Sequence, residues 1–492
     1  MPLRAVRPEV SSLPVFANRD TPVLLRGALG AAWVLALALC AVVLQGWQVH
    51  RQVVQTIGLD SAPSVEAAHS IQVLVETLDA SLVNELLLPP GRAADHVQAF
   101  EKARIELGGH LVAAAKNITY GDAERLPLER IQDATGRYLM AAQAARSAAE
   151  QGNALATLDH YRQAYGVLKG DLLPATVALN DANESVLRSA YEAQEAKARW
   201  VVILDTIFGG MLLAVLGFSQ WFFLGRFRRI LNPGFAAATF VVIWLLVFSV
   251  RAFVANASDV KAMKEDAYDS VAALLDSRAH AYEANAAESR WLLDPQMRVE
   301  HDRMFTGYVG RLAKIGIGQT FEGVAALGDR RNAIYAQLVN KGDTGVEAGA
   351  IVRSTVPIPG FSGSLAKGLD NVTFPDADPV KDEPTQSLAT LRGFGTYVEL
   401  DAKLRSLENA GRHADAVRFC MGMAPGQSNR AFFDFDESLG RWLAINQTWM
   451  ERYRDRAFAD VESLLIAGPL AMLAVLILTF MGLRPRLREY GE

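Results

Sequence analysis

The stretch FFLGRFRRILNPGFAAAT, Phe222 to Thr239, decides the fold. Three arginines and an Asn-Pro-Gly turn sit between two long apolar runs. Thr206 to Gly225 precedes the turn without a charge, and Ile230 to Val250 follows it. Working outward, Gly27 to Gly46 and Ser463 to Leu483 are two more uncharged runs of 20 and 21 residues. About 20 helical residues at ~1.5 Å each cross a hydrocarbon layer of ~30 Å. A buried core helix is the alternative for any one run. Four runs of full spanning length favour membrane spans. The chain has 492 residues, 51% of them hydrophobic, and a mean hydropathy of +0.12, with the apolar residues concentrated in these runs.

Charge orients the spans, because basic segments stay in the cytoplasm during insertion. Residues 1–26 carry four arginines, the link 225–234 three, and the tail 484–492 three. Together these segments hold 10 basic and 4 acidic residues, in a chain with 49 basic and 54 acidic. The three basic segments are therefore expected in the cytoplasm and the acidic remainder outside. The expected organisation is a cytoplasmic segment 1–26, span 27–47, outer region 48–199, span 200–224, link 225–234, span 235–251, outer region 252–462, span 463–483 and cytoplasmic tail 484–492. The first run reads as an uncleaved anchor. No Ala-x-Ala site follows it, and Leu39 stands where a lipoprotein signal wants a small residue before Cys40. The only other cysteine, Cys420, is far from Cys40, so cysteine usage gives neither a disulfide framework nor a metal cluster.

The two outer regions read as copies of one unit. TGRYLMAAQAARSAAEQG (135–152) aligns with FGTYVELDAKLRSLENAG (394–411), matching Gly136, Tyr138, Arg146, Ser147 and Gly152 to Gly395, Tyr397, Arg405, Ser406 and Gly411. DANESVLR (181–188) aligns with DFDESLGR (434–441), and LLLPPG (86–91) resembles WLLDPQ (291–296). Ile71, Val75, Leu78, Leu82 and Leu86 recur at three and four, which is one helical face. Breakers at PPG (89–91), ITYGD (118–122) and EQGN (150–153) predict helices over about 48–88, 93–117, 123–150 and 154–199. Pro63 and Pro174 are expected to kink the long ones, and Gly468-Pro469 the fourth span. Residues 341–392, rich in Gly, Pro and Asp, are expected to be a loop insertion with short strands. The fold class is thus an all-α membrane protein of two tandem units. Each is a transmembrane helix hairpin carrying an extracytoplasmic four-helix bundle, with a loop insertion in the second.

The chain carries no catalytic motif. His-Glu-x-x-His, a phosphate loop and Gly-x-Ser-x-Gly do not occur, and GIGQTF (316–321) has Phe321 where a dinucleotide fingerprint needs its third glycine. The expected cytoplasmic segments total about 45 residues, too few for a catalytic domain. We expect no enzyme, no cofactor, no metal and no nucleic-acid partner. Asp181, Glu184 and Arg188, with Asp434, Glu437 and Arg441, share helix faces in the paired D-x-x-E-S-x-x-R segments. They read either as intrahelical salt bridges or as ligand or partner contacts. Asp205, one turn inside the second span, and Arg251, at the end of the third, are at similar depth and are a candidate intramembrane pair. GGMLLA (209–214) offers small residues for close helix approach. Arg226, Arg228, Arg229, Arg484, Arg486 and Arg488 are candidate cytoplasmic docking groups.

This architecture resembles the sensor half of methyl-accepting chemoreceptors, without their cytoplasmic signalling hairpin. It more closely resembles the actinobacterial four-span GlnX family, on topology, duplication and turn-like segments such as NELLLPPG and NITYGDAE. The insertion departs from that pattern. The resemblance implies a plasma-membrane protein acting between a lipoprotein that binds acidic amino acids and a soluble Ser/Thr kinase. The expected function is a transmembrane relay for an extracytoplasmic cue, either an amino acid or its solute-binding protein. Its expected partners are the lipid bilayer, such a lipoprotein, such a kinase and further copies of the chain. The alternative is a non-switching scaffold or transporter accessory.

Overall fold

The computed structural model describes residues 21–118, 121–227, 232–339, 345–372 and 380–488, with Lys341, Pro375 and Asp378. These residues are almost wholly helical, and a single antiparallel bridge joins Lys314 and Ser362. In chain order the helices are α1 (Thr21–Gln55), α2 (Ala62–Leu87), α3 (Ala94–Lys116), α4 (Asp122–Glu150), α5 (Ala154–Val167), α6 (Leu173–Phe227), α7 (Pro233–Ala262) and α8 (Asp269–Leu293). Then follow α9 (Arg298–Leu312), α10 (Phe321–Val339), α11 (Gly345–Thr355), α12 (Ser364–Asp370), α13 (Glu383–Asn409), α14 (His413–Met421), α15 (Ser428–Glu462) and α16 (Leu464–Arg488). Four helical stretches are long and apolar enough to cross a membrane, so the chain is an all-α, multi-pass membrane protein.

The chain divides into two compact units. One comprises residues 1–53, 193–258 and 456–492, and the other 54–192 and 259–455. The first unit has the inside-out character of a lipid-facing bundle. Its core uses small residues such as Ala32, Ala36 and Ala238, whereas Val34, Phe240, Ile466 and Met481 are more than 60% exposed. Gly209 lets α6 lie against α7, since a Cβ there would fall 2.2 Å from a Leu246 methyl. Polar groups are paired inside this unit: His50 Nδ1 lies 2.7 Å from Asn256 Oδ1, and Trp33 Nε1 donates to Thr479 Oγ1 at 3.2 Å. The last span is interrupted at Ser463, between α15 and α16, rather than at Gly468-Pro469 itself.

In the second unit each half has its own core. Ile71, Val75, Leu78 and Leu82 of α2 are buried with Phe100 of α3, Ile131 and Tyr138 of α4, Tyr161 of α5 and Leu179 of α6. The second core gathers Leu274 of α8, Phe305 of α9, Phe394 and Tyr397 of α13, and Phe435 and Trp442 of α15. Gly152 (φ 70°) and Gly411 (φ 74°) end α4 and α13 in the left-handed conformation. The next residues, Asn153 and Arg412, reach back to the carbonyls of Ala148 and Leu407 at 3.0 and 3.1 Å. A Cβ is unfavourable there, so glycine fits both ends.

One expectation gains detail and another changes. Pro63 and Pro174 lie just after short π-helical turns, Thr56–Ser61 and Leu168–Leu172. The proline ring displaces the carbonyl four residues back, and the wider turn accommodates it. The described part of residues 341–392 is mainly helical rather than loop with strands: it holds α11, α12 and the start of α13. Some of the Gly and Asp residues there mark helix ends. Gly363 precedes α12 at φ 112°, and Asp382 caps α13 by accepting from Thr385 N at 2.9 Å. Leu365 and Leu369 of α12 enter the second core.

Candidate functional site

Matched positions in the two halves perform matched tasks. Tyr138 donates to Asp79 Oδ1 at 3.2 Å, and Tyr397 donates to Glu288 Oε2 at 3.4 Å. Each tyrosine is fully buried, and each carboxyl sits on the first helix of its half. Arg146 lies over the Phe100 ring at 4.0 Å and Arg405 over the Phe305 ring at 4.9 Å. Arg146 also grips Glu85 with both Nε and Nη2, at 2.9 and 2.7 Å. Arg405 bonds Asp401 and Asp302 at 2.7 and 2.6 Å.

The halves meet along α2 and α8, and the seam is polar. Arg290 of α8, 1% exposed, places Nη1 3.3 Å from Oδ2 of the fully buried Asp79. Its guanidinium stacks 4.5 Å from the Tyr165 centroid, and Nε donates to the Ala286 carbonyl. Burial alone would lower the Arg290 pKa, but Asp79 and the tyrosines keep it raised. Burial raises Asp79 despite Arg290 and two tyrosine donors. Ser289 Oγ donates to Asn84 Oδ1 at 2.6 Å. On the wetter rim Arg162 holds Asp294 with two 2.7 Å bonds, and Lys169 reaches Glu300 at 2.9 Å.

A cleft of about 760 Å³ opens between the halves on another side. Arg188, Lys264, Arg353 and Lys367 bring positive charge to it, and Glu184, Asp269, Asp276 and Asp370 negative charge. His69 Nε2 lies 3.5 Å from Glu184 Oε1, and that contact is the main cause of the lowered Glu184 pKa. Lys264 is tied to Asp269 at 2.9 Å, whereas Arg188 and Lys367 are exposed. At one edge a third π turn, Met263–Tyr268, frees carbonyls that a regular helix would bond. Asn371, following α12, donates to the carbonyls of Glu265 and Asp266 at 2.7 and 3.0 Å. The chemistry of this cleft suits a small polar ligand bearing both charges.

The residues expected from sequence divide accordingly. Glu184 and Arg188 line the cleft, and Asp181 is exposed on the same helix. Asp434 pairs with Arg430 at 2.8 Å, and Glu437 with Arg441 at 2.7 Å, so the second motif forms intrahelical bridges. Arg441 Nε also donates to Gln386. The structure does not join Asp205 to Arg251: Ser249 Oγ donates to Asp205 Oδ2 at 2.6 Å, and Arg251 is exposed. Two residues earlier on α7, on nearly the opposite face of the helix, the serine reaches the carboxylate while Arg251 is exposed. Arg228 and Arg229 lie outside the described residues. Arg226 belongs to α6, Arg486 and Arg488 to α16, and Arg484 is exposed. Asp79, Arg290, Glu76 and Glu283 were missed. The available signal was a set of charges on a helix face otherwise made of Leu, Val and Ala.

Residues 53–192 match the actinobacterial sensor domain family. The match covers the first half of the larger unit, and its similarity points to sensing as the chain's role. No curated protein and no solved structure matches the chain.

Proposed function

We propose that the chain is a non-enzymatic transmembrane relay in the plasma membrane. Its basic segments face the cytoplasm and its larger unit faces outward. The observation that carries this reading is the mixed-charge cleft, because Glu184 and Arg188 in its wall belong to α6, which continues unbroken to Phe227 through the second apolar run. The paired roles of Tyr138 and Tyr397, and of Arg146 and Arg405, support an internal duplication of a four-helix unit.

The cue is an amino acid, taken directly or carried by a solute-binding lipoprotein. Its carboxylate suits Arg188 and Lys367, and its ammonium suits Glu184 or Asp276. A ligand bridging these groups favours one packing of the halves over another. It shifts the equilibrium only by its differential affinity for the two packings. A displacement of α6 then reaches the arginine-bearing link as a small piston or rotation. The short link moves the second and third spans together, so both halves share one output to a cytoplasmic partner such as a Ser/Thr kinase.

The test is to extract the full chain from membranes with and without glutamate or aspartate and identify what co-purifies, using Arg188→Ala as comparison. The relay requires an extracytoplasmic binding protein or a kinase whose recovery depends on the amino acid and is altered by Arg188→Ala. Recovery that ignores the amino acid identifies a non-switching scaffold. Recovery of neither partner removes the relay.

A further inference from the structure

Two glutamates, Glu76 of α2 and Glu283 of α8, meet across the seam with three of their four carboxyl oxygens unmatched by a donor among the described residues. Glu76 is fully buried and Glu283 is 6% exposed. Neither oxygen of Glu76, nor Oε2 of Glu283, meets a hydrogen-bond donor among the described residues. Arg290, a buried cation that acts on both glutamates, is engaged by Asp79 and the Tyr165 ring. The seam therefore holds three acidic groups, Glu76, Asp79 and Glu283, around one guanidinium.

The other groups facing the pair do not remove this imbalance. On α8, His280 is committed to Asp276 at 3.4 Å. From α9, Tyr308 faces both glutamates, and Arg311 acts on Glu283 while lying exposed beside the Tyr308 ring. From α5, Tyr165 faces Glu76. From α3, Ala103 and Leu107 add apolar surface to the adjoining core. Two carboxylates side by side, so little exposed to bulk solvent, repel strongly.

We propose that the α2–α8 seam is a proton-binding site: Glu76 and Glu283 share one proton when the helices are packed, and its loss loosens the halves, so the larger unit also reports the acidity of its surroundings. The ligand is a proton drawn from water, and no bond other than O–H forms or breaks. On release, the second carboxylate competes with Asp79 for Arg290, which couples the proton to the ion pair at the centre of the seam. Neither glutamate lines the mixed-charge cleft, so the inference stands apart from the identity of any ligand there.

The direction of the response follows from the environment. Burial, then the neighbouring Glu283, pushes Glu76 well above the ordinary glutamate range, and burial raises Glu283 as well. The packed state thus binds protons more tightly than the unfolded chain. Its stabilisation is complete below the ordinary glutamate value of about 4.3 and is lost as pH rises through the elevated values. Acid tightens the seam and alkali loosens it.

The experiment uses the full chain in lipid nanodiscs, with thermal unfolding followed from roughly pH 5 to 9 and infrared spectra recorded at neutral pH. Glu76→Gln and Glu283→Gln are neutral and similar in shape to the protonated acid, and either suffices if the other fails to fold. The wild-type midpoint should fall as pH rises, each variant should flatten that fall, and Glu76→Gln should remove a protonated-carboxyl C=O band present in the wild type. Unchanged pH slopes in the variants, or no such band lost, would overturn the proposal.

Discussion

Asp79 and Arg290 are the clearest case of single residues with large consequences. Each is buried, and each is the other's main compensation for lost hydration. Asp79→Ala would leave a guanidinium in a dry seam, and breaking a buried pair this way costs about 3–5 kcal/mol. Denaturant unfolding of the reconstituted chain should show that loss. The double change Asp79→Leu with Arg290→Met should recover part of it, because the orphaned guanidinium is gone while Glu76 and Glu283 lose a buried cation that acts on both; a double variant as weak as the single one would contradict this account. Glu288 is a second such residue. Burial, aided by Asp401, pushes it to about 8. Its folded-state value is raised, so the stabilisation it brings is present below the ordinary glutamate range and lost as pH rises from there through about 8. Glu288→Gln should remove that part of the decline, read as a flatter midpoint-against-pH curve than the wild type gives. None of these residues stood out in sequence, because one charge on an apolar stripe looks the same whether its partner is water or a guanidinium from another helix.

Among elements, the long helices carry the most information. Breakers located the end of α2 and both ends of α3 and α4 to within about a turn, because helix ends are encoded locally by proline, glycine and capping side chains. The π turns were less legible. Two precede prolines, but Met263–Tyr268 does not, and there Asn371 from the insertion supplies donors to the freed carbonyls. Asn371→Ala would leave those carbonyls short of partners, a loss of about 1–3 kcal/mol for buried groups. Hydrogen exchange should then quicken in residues 263–270 while α4 stays protected; uniform protection would show that Asn371 is incidental. The insertion misled because composition averaged over some 50 residues hides helices of 7 and 11, with Gly363 at the start of the shorter one.

At the scale of the whole molecule, the two halves of the larger unit are bound by the α2–α8 seam and by Arg162–Asp294 and Lys169–Glu300 on its rim. Such shared contacts predict that the halves open together. Arg162→Ala should raise exchange in α5 and α9 alike, and a change confined to α5 would show that the halves are energetically separate. The sequence by itself determined the four spans, the helical class, the matched segments and the absence of familiar catalytic motifs. All of these depend on local composition and spacing along the chain. Only the tertiary structure decided that Glu184 and Arg188 line a cleft while Glu437 pairs within its own helix with Arg441, which also reaches Gln386 of α13. It also decided that Asp205 meets Ser249 rather than Arg251, and that Asp79, Arg290, Glu76 and Glu283 converge on one seam. The physical reason is that a side chain's partner depends on which faces of distant helices pack together, and helical spacing gives a residue's face but not what lies opposite it.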